Sequence, residues 1–113
     1  MSAKNFLANA PPYEAELAIN RLGRNLRTAR LRRNLTIKQV AEKIGTGPRA
    51  VMDAEKGKLG TGVGVYFALL WAYDLLHLLD DLADPKNDGE GIALDQIALR
   101  KRARASKVLD NDF

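Results

Sequence analysis

Thr36-Ile37-Lys38-Gln39-Val40-Ala41-Glu42-Lys43-Ile44-Gly45-Thr46-Gly47-Pro48-Arg49-Ala50-Val51-Met52-Asp53-Ala54-Glu55-Lys56-Gly57-Lys58 is the stretch from which the fold is read. Thr36 and Gln39 stand three apart before an apolar pair, the spacing at which each side chain satisfies the other's backbone amide and starts a helix. Val40, Ala41 and Ile44 share its inner face. Gly45 follows where the chain must leave the helix with positive φ. Gly47 then offers an N-cap, and Pro48 suits a first helical position because no amide is needed there. Val51 and Ala54 point inward, and Gly57 ends the second helix. Two short helices joined by a brief glycine-containing turn are the pattern of a helix-turn-helix.

Upstream, a longer helix is expected from Glu14, with Ala18, Leu22, Leu26 and Ala29 as its inward stripe. Arg21, Arg24, Arg27, Arg32 and Arg33 occupy its other faces, and Asn34 ends it because asparagine tolerates a left-handed conformation. Residues 1–13, with Pro11-Pro12, read as a flexible arm. Downstream, residues 58–64 form a glycine-rich connection. Gly60-Thr61-Gly62-Val63-Gly64 follows no strand and lacks the spacing of a phosphate-cradling loop.

Val65 to Ala83 is apolar on nearly every face. Asp74, His77, Asp80 and Asp81 interrupt it, which argues against a membrane span and for two helices with a break between 74 and 77. The apolar surplus exceeds what a small core needs and points to a dimer interface made by Tyr66, Phe67, Leu70, Trp71, Tyr73, Leu76 and Leu79. Ala83-Asp84-Pro85 closes the domain. Ile92 to Leu99 offers one or two helical turns, within a linker and basic tail that occupy 85–113. The expected architecture is therefore an all-α, compact five-helix domain over 14–84, flanked by an arm and a tail.

Composition agrees with this outline. The chain has 113 residues, enough for one domain, and 46% of them are apolar but only 6% aromatic. With no cysteine, disulfide and thiolate-metal chemistry are excluded. The N-terminus lacks the segments of a secretory signal, which implies a cytoplasmic location. Residues 1–58 carry twelve Lys and Arg against five Asp and Glu, a balance of +7. Residues 59–99 balance at −6, and Arg100, Lys101, Arg102, Arg104 and Lys107 then add +5. Such a split suits one region that meets a polyanion and another with a different task. His77 is the sole histidine and has no partner for metal ligation. Asp80, Asp81 and Asp84 lack the nucleophile and cleft of an acid-base site. Neither a catalytic residue nor a cofactor is expected.

Arg27 to Lys58 resembles the helix-turn-helix core of the Xre/Cro repressors. The residues that carry the likeness are Arg30, Leu35-Thr36, Gln39-Val40-Ala41, Gly45-Thr46, Val51 and Glu55-Lys56-Gly57-Lys58. It implies a lambda-repressor-like fold whose second short helix enters the major groove of double-stranded DNA. Pro48, Arg49, Met52 and Asp53 then face base edges, and Thr36, Lys38, Gln39, Thr46, Lys56 and Lys58 face phosphates. It also implies a structural ion pair between Arg30 and Glu55. Three positions depart from the pattern. Relatives often place a phosphate-binding glutamine at Ile37, a base-reading side chain at Pro48, and an amide or a base at Asp53. Asp53 suits either acceptance from cytosine or orientation of Arg49.

Leu82-Ala83-Asp84-Pro85, Gly91-Ile92-Ala93-Leu94 and Leu99-Arg100-Lys101-Arg102-Ala103-Arg104 resemble the C-terminal part of HipB-like antitoxins, although the proline frequent before that basic run is missing. This likeness implies a homodimer on a pseudo-palindromic operator that autoregulates its operon and restrains a HipA-type kinase. A protein-interaction module on the same fold, or a stand-alone phage-type repressor, are the alternatives.

Overall fold

The computed structural model describes residues 6–111. The first five residues of the expected arm lie outside it. The elements in order are α1 (Phe6–Asn9), α2 (Tyr13–Arg32), α3 (Ile37–Ile44), α4 (Pro48–Glu55), α5 (Val63–Ala72), 3-10 turns at Leu76–Leu79 and Pro85–Asn87, and α6 (Gly89–Asn111). Among the described residues there is no strand, so the protein is all-α. None of these helices is long and apolar enough to cross a membrane. The chain divides into two units, residues 1–77 and 78–113.

In the first unit the core is built from Leu26 and Ala29 of α2, Val40 and Ala41 of α3, Val51 and Ala54 of α4, and Tyr66, Leu69, Leu70 and Ala72 of α5, with Tyr73 beside them. The inward positions read for α3 and α4 are buried, save Ile44, which is half-buried. The stripe on α2 reaches the core only in its second half, since Ala18 is exposed and Leu22 half-buried. The residue that fixes the approach of α2 to α4 is Gly23. A Cβ there would lie 2.6 Å from the Ala54 carbonyl oxygen, and one at Gly57 would lie 2.5 Å from the Asn20 Cα. The two backbones touch, and only glycine leaves the room.

Asn34 takes a φ of +53° just beyond α2. Helix α5 starts earlier than the glycine-rich connection suggested, and Gly62 is its N-cap. It ends at Ala72 with Tyr73 as C-cap, where the Leu75 amide bonds back to the Leu70 oxygen at 2.8 Å and two cations hold the terminal carbonyls. The Lys43 Nζ donates to the Ala72 oxygen at 3.2 Å, and the Arg33 Nη2 to the Tyr73 oxygen at 2.9 Å. Cations at a helix C-terminus also suit its partial negative charge. Asp74 then turns with φ of +57°, and a 3-10 turn stands where a second α-helix was expected.

The burial pattern corrects part of the dimer surface. Tyr66, Leu70 and Tyr73 are buried in the chain's own core, so they have no area to offer a second copy. Phe67, Trp71 and Leu76 remain exposed, and Leu79 is half-buried.

The second unit corrects the expected linker and tail. Asp84 accepts the Lys86 amide at 2.9 Å to set the short 3-10 turn. Asp88 accepts the Gly91 amide at 2.9 Å to start α6, which runs for 23 residues through the whole basic run. From Ile92 to Asn111 there is neither glycine nor proline, and alanine, leucine, arginine and lysine dominate, so backbone propensity carries the helix on. No residue from 78 to 107 is buried.

Candidate nucleic-acid interface

Helices α3 and α4 are each eight residues long and are joined by Gly45, Thr46 and Gly47. Gly45 has a φ of +80°, and the Thr46 amide donates back to the Ala41 oxygen at 2.9 Å. At the head of α3 the Thr36 hydroxyl accepts the Gln39 amide at 3.1 Å, while the Gln39 Oε1 accepts the Thr36 amide at 2.8 Å. Both side chains thus act as acceptors. The Thr36 hydroxyl hydrogen and the Gln39 NH2 are left as donors beside the free amides of the first turn.

The rear of α4 is locked. The Arg30 Nε and Nη2 donate to the two Glu55 oxygens at 2.7 and 3.0 Å, and Nη1 donates to the Leu35 oxygen at 2.9 Å. The two side chains are only 9% and 6% exposed. Glu55's hydrogen bond holds the Arg30 guanidinium firmly charged against its burial. One forked contact therefore ties α2, the entry to α3 and the end of α4 together, and does so bidentately.

The front of α4 is open. Pro48 is its first residue, so the helix begins without a proline amide to satisfy. The Arg49 side chain is 77% exposed and its Nε lies 3.5 Å from the Asp53 Oδ1. The same oxygen is 3.1 Å from the Lys58 Nζ. Lys58 is the main reason that the Asp53 carboxyl sits below the usual carboxylate range, helped by the charges of Arg49 and Lys56. Asp53 is thus a shared anchor that grips Lys58 more closely than Arg49. Lys38 and Lys56 are exposed, and no ion pair involves them among the described residues.

Beside the head of α4 lies an apolar groove lined by Leu31, Leu35, Ile37, Pro48 and Met52. Arg27 and Lys56 line its continuation past Ile37 and Met52. Ile37, read from sequence only as a departure, is thereby part of the same face as Met52. The sequence reading also gave Arg33 and Lys43 no structural role. Their partners, the C-cap Tyr73 and the last residue of α5, lie 40 and 29 residues away, beyond any local spacing rule. Lys43 also stands over the Trp71 ring, 5.8 Å from its centroid.

Comparison with known protein families, with curated proteins and with solved structures gives no match for this chain.

Proposed function

We propose that the protein is a sequence-specific DNA-binding transcriptional repressor of Xre/Cro type, with a lambda-repressor-like domain built on α2 to α5. The observation that carries this reading is the asymmetry of α4. Its rear is locked to α2 by the buried Arg30–Glu55 fork, and its front presents Arg49 almost fully to solvent. A recognition helix needs that combination, because base discrimination depends on holding a few side chains at fixed positions. Around it stand the exposed cations Arg27, Lys38 and Lys56 and the donors of Thr36 and Gln39, which suit phosphate oxygens.

In this reading α4 lies in the major groove and Arg49 forks onto guanine O6 and N7. Asp53 steadies Arg49 and Lys58. Lys38, Lys56 and Lys58, with Thr36, Gln39 and Thr46, meet the backbone. The protein acts as a homodimer on a pseudo-palindrome, with Phe67, Trp71 and Leu76 as the exposed apolar side chains of the first unit still available for pairing. The finer reading is a cytoplasmic antitoxin that restrains a HipA-type kinase. The exposed Ile92, Leu94, Ile97 and Leu99 of α6 are the apolar surface available to that partner.

A gel shift with the DNA upstream of the protein's own gene tests the reading. Binding is expected to fall steeply with salt as counterions return. Arg49→Ala should weaken the preferred sequence by about 1–3 kcal/mol while barely changing affinity for random DNA. Equal loss on every sequence removes Arg49 as a base reader, and absence of any shift removes the function.

A further inference from the structure

The groove beside α4 has an apolar floor and a cationic rim. Leu31, Leu35, Ile37, Pro48 and Met52 line it with Lys38 at its edge, Arg27 and Lys56 line its continuation, and all three cations are exposed. The two nearby carboxylates are already committed, Glu55 to Arg30 and Asp53 to Lys58 and Arg49. An occupant must therefore be strongly anionic and yet present small apolar groups. An apolar peptide helix fits the floor but leaves the rim unneutralised. Duplex DNA fits both, because its major groove is walled by phosphates and its base edges carry one apolar group, the thymine C5-methyl.

We infer that the Ile37–Pro48–Met52 groove is a thymine-methyl reader, which selects operators by apolar contact beside the positions of Arg49 and Asp53 on α4. The inference rests on the DNA-binding reading and assigns to it a class of base pair. Pro48 has no amide to donate, and neither Ile37 nor Met52 has a side-chain hydrogen-bond donor, so these three side chains distinguish bases only by shape and apolar contact. Met52 is 37% exposed, and its unbranched thioether adapts to a methyl group at little conformational cost. The departures at Ile37 and Pro48 then become one device: a phosphate-binding and a base-reading polar side chain, both replaced by apolar ones.

The test begins with selection of bound duplexes from a random pool by the full chain, followed by replacement of each thymine in the selected duplex with deoxyuridine. At one or two thymines per half-site, loss of the methyl should raise Kd about fourfold, the effect of removing one buried carbon from contact. Met52→Ala or Ile37→Ala should abolish that difference while leaving the salt slope unchanged, since no phosphate contact is lost. A selected duplex indifferent to every deoxyuridine replacement, or a methyl effect that survives both variants, overturns the inference and leaves DNA binding standing. A pool in which no duplex is enriched overturns the DNA-binding reading and this inference with it.

Discussion

Leu26, Val40, Val51, Leu69 and Tyr73 are almost wholly removed from water, whereas Ile92, Leu94, Ile97 and Leu99 stay exposed. Apart from Tyr73, which follows α5, both groups sit on helices, yet the helices exist for different reasons. At eight residues, α3 and α4 are shorter than the roughly 12–15 residues at which an isolated helix becomes marginal in water. They persist because α2, α4 and α5 bury their inner faces. Helix α6, at 23 residues, is long enough for capping and propensity to carry it without a core. One region is held by tertiary contact, and the other by its own backbone.

The strongest way to break that contrast is to cut the fork between α2 and α4. Arg30→Ala or Glu55→Ala leaves an uncompensated buried charge, which should destabilise the first unit by about 3–5 kcal/mol. Denaturant titration read from Trp71 fluorescence measures it. A loss below about 1 kcal/mol would show that the fork is incidental to the packing.

Gly23→Ala gives a sign test. By propensity alone, alanine stabilises a helix by about 1 kcal/mol over glycine. Here the added Cβ meets the carbonyl oxygens of Ala54 and Glu55 and the Gly57 nitrogen, each within 2.7 Å. Separation of α2 from α4 should cost about 1–3 kcal/mol or more, as overpacking does. A stabilised variant would mean that α2, like α6, is ruled by its own backbone.

Tyr73 sharpens the comparison from the opposite side. Its hydroxyl is buried and has no hydrogen-bond partner among the described residues, and burial pushes its pKa up to about 12. Between pH ~10 and ~12 the unfolded tyrosine loses its proton while the folded one keeps it. Stability should therefore fall as pH rises through that window, by at most about 1.4 kcal/mol per pH unit. Tyr73→Phe should remove this component of the alkaline decline and stabilise the protein by about 1 kcal/mol at neutral pH, since an unpartnered buried hydroxyl is lost. Unfolding curves of the two proteins at pH 7 and pH 11 decide it, and an identical alkaline decline in both would refute the assignment.

What the sequence disclosed follows the same division. The capping of α3, the turn at Gly45 and the proline start of α4 are local devices with fixed spacings, and each was legible. The Arg30–Glu55 contact spans 25 residues and was reached only through a family resemblance. Gly23, Arg33 and Lys43 act at sites where helices meet, and no periodicity marks them. The charge count misleads for the same reason: it scores Arg33 and Lys43 with the outward cations, although both hold the end of α5. Tyr66, Leu70 and Tyr73 could not be sorted from Phe67 and Trp71 by hydropathy, because α5 is apolar all round. The extent of α6 was missed because a basic run was read as a solvated tail, whereas arginine, lysine and alanine are also good helix formers.

The smallest expected effect falls on Asp88, and it separates the two regions most directly. Its carboxylate accepts the Gly91 amide, and its carbonyl accepts the Ile92 amide at 2.9 Å. Asp88→Ala removes the side-chain acceptor and should weaken the start of α6 by about 1 kcal/mol, the usual value of an N-cap. From 89 to 107 no residue of α6 is buried, so no core packing offsets that loss and the first turn should fray. Amide exchange over Gly89–Asp95 should then accelerate about fivefold at neutral pH, the factor that ~1 kcal/mol represents. The midpoint of denaturant unfolding for the core between Leu26 and Tyr73 should stay where it is. If that midpoint falls along with the exchange protection, α6 shares the core's cooperative transition, and the contrast between a helix held by burial and a helix held by its own backbone is lost.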